Sequence, residues 1–265
     1  MFWVIPCGQL FTGIELLESF EANKRMDAKM KKPVCLVTGV GPRTGTGGEI
    51  AARFAAGGYQ VAMLARDGNN LAVLEEEIEG ATAFPCDVGD LNALNETISD
   101  VRDRLGAPEI VIHNALRSTR GGILELDPED LERNFRVNAT ALLYLARATI
   151  PEMLENGRGT LLITGNTSAT RGKTNWGFFA STKAAQRILA ESIAREFGPK
   201  GIHTSYIMID ASIDTPRTRP VLAPDKPDDF FAKPKAIAEE MFHIAHQDRS
   251  TWSFLVELRP FGEVW

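Results

Sequence analysis

The sequence predicts an α/β fold, a doubly wound parallel sheet of about seven strands with helices on both faces. Three observations carry this expectation. From Pro33 onward, short apolar runs of strand length alternate with longer stretches of helix formers. The strand-like runs are apolar enough to be covered on both faces, as parallel strands joined by crossover helices are. Glycines close several of the helical stretches, and no Pro/Gly/Ser-rich linker divides residues 33–260.

Taken in order, "VCLVTG" (34–39) is a β-rich run ending in glycine, and "GEIAARFAAGG" (48–58) is a helix with a glycine stop. "YQVAMLAR" (59–66) reads as the second strand, and residues 70–79 as a helix ending at Gly80. "TAFPCDV" (82–88) and "EIVIHNA" (109–115) are the third and fourth strands, followed by a long helix over roughly 128–155. "GTLLITG" (159–165) is the fifth strand and 176–197 the next helix; "HTSYIMID" (203–210) and "SFLVEL" (253–258) are the last two strands. Residues 33–265 are therefore expected to form one domain. The segment beginning after the sixth strand, about 213–250, is loop-rich, and long irregular loops are usually either functional or floppy.

The chain has 265 residues, 44% of them hydrophobic and 24% charged, values ordinary for a globular protein. Its net charge of -6 gives no broad positive field, so nucleic acid and membrane surfaces are not expected partners. No apolar run approaches the ~20 residues of a membrane span. Cys7, Cys35 and Cys86 are an odd number without C-x-x-C spacing, and reduced thiols in a cytoplasmic protein are the simplest reading. The scattered His113, His203, His243 and His246 make no ligand set, so no metal is expected. Residues 1–32 stand apart. Their apolar start is interrupted by Glu15, Glu18 and Glu21 and lacks a small-residue cleavage site, so they do not read as a secretory signal. A short amphipathic helix fits residues 14–25, Met26 and Met30 are alternative start sites, and the role of this extension is unassigned.

"TGVGPRTGTGGEIAARF" lies between the first strand and the first helix. Glycines there tighten the turn and bring backbone N–H groups close to a pyrophosphate seated on the positive end of the helix. A glycine-rich string alone is weak, because glycines also serve ordinary loops; its place in a βαβ unit is what strengthens it. With this motif, residues 33 to about 258 resemble the short-chain dehydrogenase/reductase family, whose pattern after the first strand is T-G-x-x-x-G-x-G. Thr38-Gly39 and Gly45-Thr46-Gly47 match its two ends with five residues between them instead of three, as in an atypical branch with a stretched loop.

The resemblance implies a Rossmann fold and a nicotinamide cofactor bound by Gly39, Gly45 and Gly47. The acidic position that would bind the ribose of NAD is Ala65, followed by Arg66, and Arg43 stands in the glycine loop. NADP(H) is therefore favoured over NAD(H), since guanidinium forks suit phosphate oxygens; the plain alternative is that both arginines are solvated. Asp87-Val88 resembles the pair that holds adenine, although a strand-end turn would use the same residues. Asn114, in "HNAL", would lie beneath the cofactor, with His113 and Leu116 departing from the family pattern; Thr215 would contact the carboxamide.

Family members pair a serine, a tyrosine and a lysine with an asparagine on the preceding helix. The tyrosine moves the proton, and a phenol needs a nearby ammonium to ionise near neutral pH. In this chain Lys183 and Asn138 occupy the lysine and asparagine positions, while Phe179 stands at the tyrosine and Asn166 at the serine. General acid–base help is worth about 10²–10⁴-fold, so its loss disables ordinary carbonyl reduction without removing cofactor binding. The implied function is hydride transfer between NADP(H) and a carbonyl or activated C=C, with an altered proton-donor site. The alternative is a weakly active or inactive NADP(H)-binding sensor or partner subunit. The resemblance also implies a substrate lid over about 213–250, a small-molecule substrate, and a homodimer or homotetramer built on the two long helices.

Overall fold

The computed structural model describes residues 32–222 and 224–263. The expected helix over 14–25 and Cys7 lie outside the described residues. The elements that follow are β1 (Val34–Thr38), α1 (Thr46–Ala56), β2 (Gln60–Ala65), α2 (Gly68–Glu77), β3 (Ala81–Pro85), α3 (Leu91–Arg104) and β4 (Pro108–His113). Beyond them lie α4 (Pro128–Phe135), α5 (Ala141–Glu155), β5 (Gly159–Gly165), α6 (Gly177–Phe197), β6 (Ile202–Ile209), β7 (Ser212–Ile213), α7 (Thr218–Leu222), β8 (Phe231–Ala232), α8 (Pro234–Ala245) and β9 (Leu255–Leu258).

Seven strands form one parallel sheet in the order β3-β2-β1-β4-β5-β6-β9, and β7 pairs with β8 in a separate two-stranded ribbon. The alternation of side chains along each strand builds two cores. Leu36, Leu64, Val111, Leu161 and Tyr206 enter one, against α3, α5 and α6. Cys35, Val37, Met63, Ile112, Leu162 and Ile207 enter the other, against α1 and α8. Each face is sealed by the apolar stripes of its helices, as the near-continuous apolar strands require.

Local chemistry sets the helix starts. Asp67 and Asp90 cap α2 and α3 by accepting from the amides two and three residues on, and Asp127 caps α4 with Pro128 in its first turn. The sequence reading is corrected at three elements. α3 was not foreseen, although Leu94, Ile98 and Val101 give it a buried stripe. The third strand ends at Pro85, so Asp87 and Val88 belong to the following loop. The helix expected over 128–155 is continuous, with a π-turn at residues 136–140 inserted between α4 and α5. Within the expected lid span, α8 is a core element, burying Ile237, Met241 and Ile244.

Strand order reverses between β1 and its two neighbours: β2 and β3 lie on one side, β4 to β6 on the other. A crevice opens at the carboxyl ends of strands at such a switch point.

Candidate active-site cleft

A cleft of about 1580 Å³ occupies that crevice. Its floor is set by a close approach of two loops. Gly39 has φ +70, and a Cβ there would sit 2.5 Å from the Ala115 backbone. Gly47 is equally confined, since its Cβ would lie 2.5 Å from the Gly39 carbonyl oxygen. α1 begins at this turn with Gly45 as its N-cap and no side-chain cap, and Gly45, Thr46 and Gly47 line the cleft.

His113 explains how the two loops are held. It is buried, with Nε2 3.0 Å from the Val137 carbonyl and Nδ1 3.0 Å from the Thr38 hydroxyl. A carbonyl only accepts, so Nε2 carries the proton and Nδ1 accepts from Thr38. The Thr38 oxygen then accepts from the Asn114 and Ala115 amides, each at 3.2 Å. Asn114 completes the junction by donating through Nδ2 to the Gly39 carbonyl at 2.9 Å. Burial, with a smaller push from Lys183, lowers the His113 pKa to about 4, so the ring is neutral.

Lys183 projects from α6 to the cleft wall. It is 2% exposed, and Nζ donates to the Thr164 carbonyl at 2.8 Å and to Gln186 Oε1 at 2.5 Å. Burial pulls its amine down to about 7. Phe179, one turn earlier on the same face, is buried and rests tilted against Trp176 with ring centroids 5.8 Å apart. Asn166 directly follows β5; its Oδ1 accepts from the Ser168 amide at 3.1 Å, and its Nδ2 donates to no protein group among the described residues.

Of the sequence-selected residues, Gly39, Gly45, Gly47, Arg66, Asp87, Val88, Asn114, Asn166, Phe179, Lys183 and Thr215 all line the cleft. Two do not. Arg43 turns to Glu49, 3.0 Å away, and Asn138 is buried in the π-turn. There Asn138 accepts from the Arg117 amide and donates to the Arg117 carbonyl, both at 2.9 Å, and to Thr182 Oγ1 at 2.8 Å. It staples the loop after β4 to α6, a use typical of π-turns at functional sites. Arg66 forms no ion pair among the described residues.

Some candidate groups were not foreseen from sequence. Arg136 lines the same cleft. Gln186 holds the Lys183 ammonium, and Tyr206 packs so closely under Gly165 that a Cβ there would fall 2.0 Å from its ring. Only the proximity of Arg136 to Asn138 in the chain could have flagged it; the other two contacts join residues by the fold alone. Between β7 and α7, Asp214 accepts from Arg219 at 2.8 Å and from Lys233 at 2.7 Å, which holds its carboxyl well below the usual range. Among the described residues there is no group of three His, Cys, Asp or Glu side chains that could hold a metal, and no helix long and apolar enough to cross a membrane.

A doubly wound sheet with its cleft at the switch point defines a Rossmann-type α/β protein. Within that class, the family model described as short chain dehydrogenase matches residues 33–225, and the chain belongs to that family. It is 30% identical over 184 residues to the 3-oxoacyl-acyl-carrier-protein reductase MabA of Mycobacterium tuberculosis, covering 69% of this chain and 70% of that one. A fatty acyl-CoA reductase of Acinetobacter baylyi is 26% identical over 246 residues, covering 84% of this chain and 82% of the relative. A metagenomic short-chain oxidoreductase solved in complex with NADP superposes with a TM-score of 0.74 at 23% identity, covering 86% of this chain and 96% of that one.

Proposed function

We propose that the protein is an NADP(H)-dependent oxidoreductase of the atypical short-chain type, acting on a carbonyl or activated C=C substrate through an altered proton-donor site. The observation that carries this reading is the cleft wall: Lys183 Nζ and Asn166 border the same cleft as the glycine turn, with the hydroxyl-free ring of Phe179 beside them. The residues fit the cofactor. Any Cβ at Gly39 or Gly47 would fill the turn, and the uncapped start of α1 offers amides to a pyrophosphate.

In this reading Gly39, Gly45 and Gly47 seat the phosphates, Asp87, Val88 and Asn114 border the adenosine, and Arg66 meets a 2'-phosphate. Arg43, engaged with Glu49, would have to release it to join Arg66. Thr215 bounds the nicotinamide end. When bound, the nicotinamide supplies or accepts a hydride. The Asn166 Nδ2 orients the reacting oxygen but holds no transferable proton. Phe179 excludes water from that corner. With its amine near 7, Lys183 can hold and release a proton at neutral pH, which a lysine at its ordinary value does poorly. Asn138 positions α6 rather than touching the reactants. MabA and the fatty acyl-CoA reductases take acyl substrates by name. The exposed Leu116, Ile123 and Leu124 on the loop after β4 suit such an apolar substrate here. The ribbon β7–β8 with α7 forms the lid part of the 213–250 span, on a 33–265 domain preceded by the 1–32 extension. Assembly as a homodimer or homotetramer in the cytoplasm belongs to the same reading.

A second reading, favoured by Phe179 alone, is an inactive NADP(H)-binding sensor or partner subunit. The test is a panel of carbonyl and enoyl acyl thioesters, with NADPH consumption as readout, for the native chain and Phe179→Tyr. Turnover by the native chain supports the enzyme. Turnover only by Phe179→Tyr supports the sensor with an otherwise competent site. Equal affinity for NADPH and NADH would remove the 2'-phosphate assignment to Arg66.

A further inference from the structure

We infer that Gln186 is a positioning residue for Lys183, holding its ammonium by the amide carbonyl so that the remaining N–H points to the cleft. The inference rests on the reading of Lys183 given above.

Lys183 and Gln186 lie three residues apart on α6 and so share one face of the helix. Gln186 is fully buried, a position where an apolar side chain is the ordinary choice. Among the described residues its Nε2 has no hydrogen-bond partner, and an unpaired buried donor is costly enough to require an explanation. The other end of the amide supplies one. An ammonium only donates, so the amide must turn its oxygen to Nζ and leave its nitrogen unpaired. The Thr164 carbonyl takes a second N–H from the β5 side. That leaves one N–H of the three for the cleft that Lys183 lines.

The surroundings give Gln186 leverage over the charge. From β4 the titratable neighbour is His113, which is neutral. From β5 Thr164 offers only a carbonyl to the amine, and burial is what lowers its pKa. A hydrogen bond to the charged form is then the main device that favours it against burial.

The test is a pH titration of the Lys183 Cε resonance in the full chain without ligand, labelled with ¹³C-lysine and assigned by its loss in Lys183→Met. Gln186→Leu is expected to lower the midpoint by about one pH unit, and Gln186→Glu to raise it by at least as much. NADPH binding, followed by fluorescence, should weaken for Gln186→Leu above the lowered midpoint and be restored in Gln186→Glu. A common midpoint in all three proteins overturns the inference, as does a shift of the same sign in both variants. If Gln186→Leu does not fold, an unmoved midpoint in Gln186→Glu overturns it alone. The titration needs no substrate, so failure to find turnover and failure of this inference are separate results.

Discussion

At the residue scale, Lys183 couples the site's chemistry to the stability of the fold. In an unfolded chain its amine would titrate at about 10.4, whereas burial holds it at about 7 in the native protein. Between those values the unfolded chain binds more protons, so this residue's contribution to stability rises with pH and is at its worst below 7. Lys183→Met abolishes that dependence. The difference in Tm, variant minus native, should be most favourable to the variant near pH 6 and should shrink steadily toward pH 10. Calorimetry at several pH values measures this, and a difference independent of pH would contradict the burial of a titrating amine. Lys183, Phe179 and Asn166 could be selected from sequence because their spacing matches a family motif. Gln186 could not, since nothing in "STKAAQ" says which helix face is enclosed.

At the element scale, the interlocked pair α1 and α8 shows where helix packing is concentrated. Phe54 is fully buried, with Tyr59 and Phe242 edge-on at centroid distances of 5.8 and 5.1 Å. The Arg53 guanidinium covers the Phe242 ring at 3.6 Å and pairs with Glu239. Phe54→Ala should cost about 3–5 kcal/mol, against about 0.5 or less for the exposed Val73→Ala on α2. Urea unfolding midpoints report both. The strands were readable because each is a short apolar run, whereas α3 was hidden. Its sequence "LNALNETISDVRDR" carries only three buried positions among polar ones, and a reading led by apolar runs passes over it. The π-turn was unreadable for another reason. It depends on Asn138 finding both Arg117 and Thr182, which the fold alone brings together.

At the scale of the whole molecule, the neutral His113 ties β1, β4 and the π-turn into one unit. Its folded value of about 4 lies below the ordinary value near 6.5. The unfolded chain therefore takes up more protons between those two values, and stability is lost as pH falls from 6.5 to 4. The imidazole should titrate near 4 by NMR, and a midpoint at 6 or above would contradict the network. The architecture also has a consequence for synthesis. Ile50 and Phe54 of α1 share one core with Ile237 and Met241 of α8, which are made almost two hundred residues later. A nascent chain must carry that oily face bare until the ribosome has nearly finished. Premature termination before Pro234 would then yield a sticky fragment, and chaperone demand should fall sharply once α8 emerges.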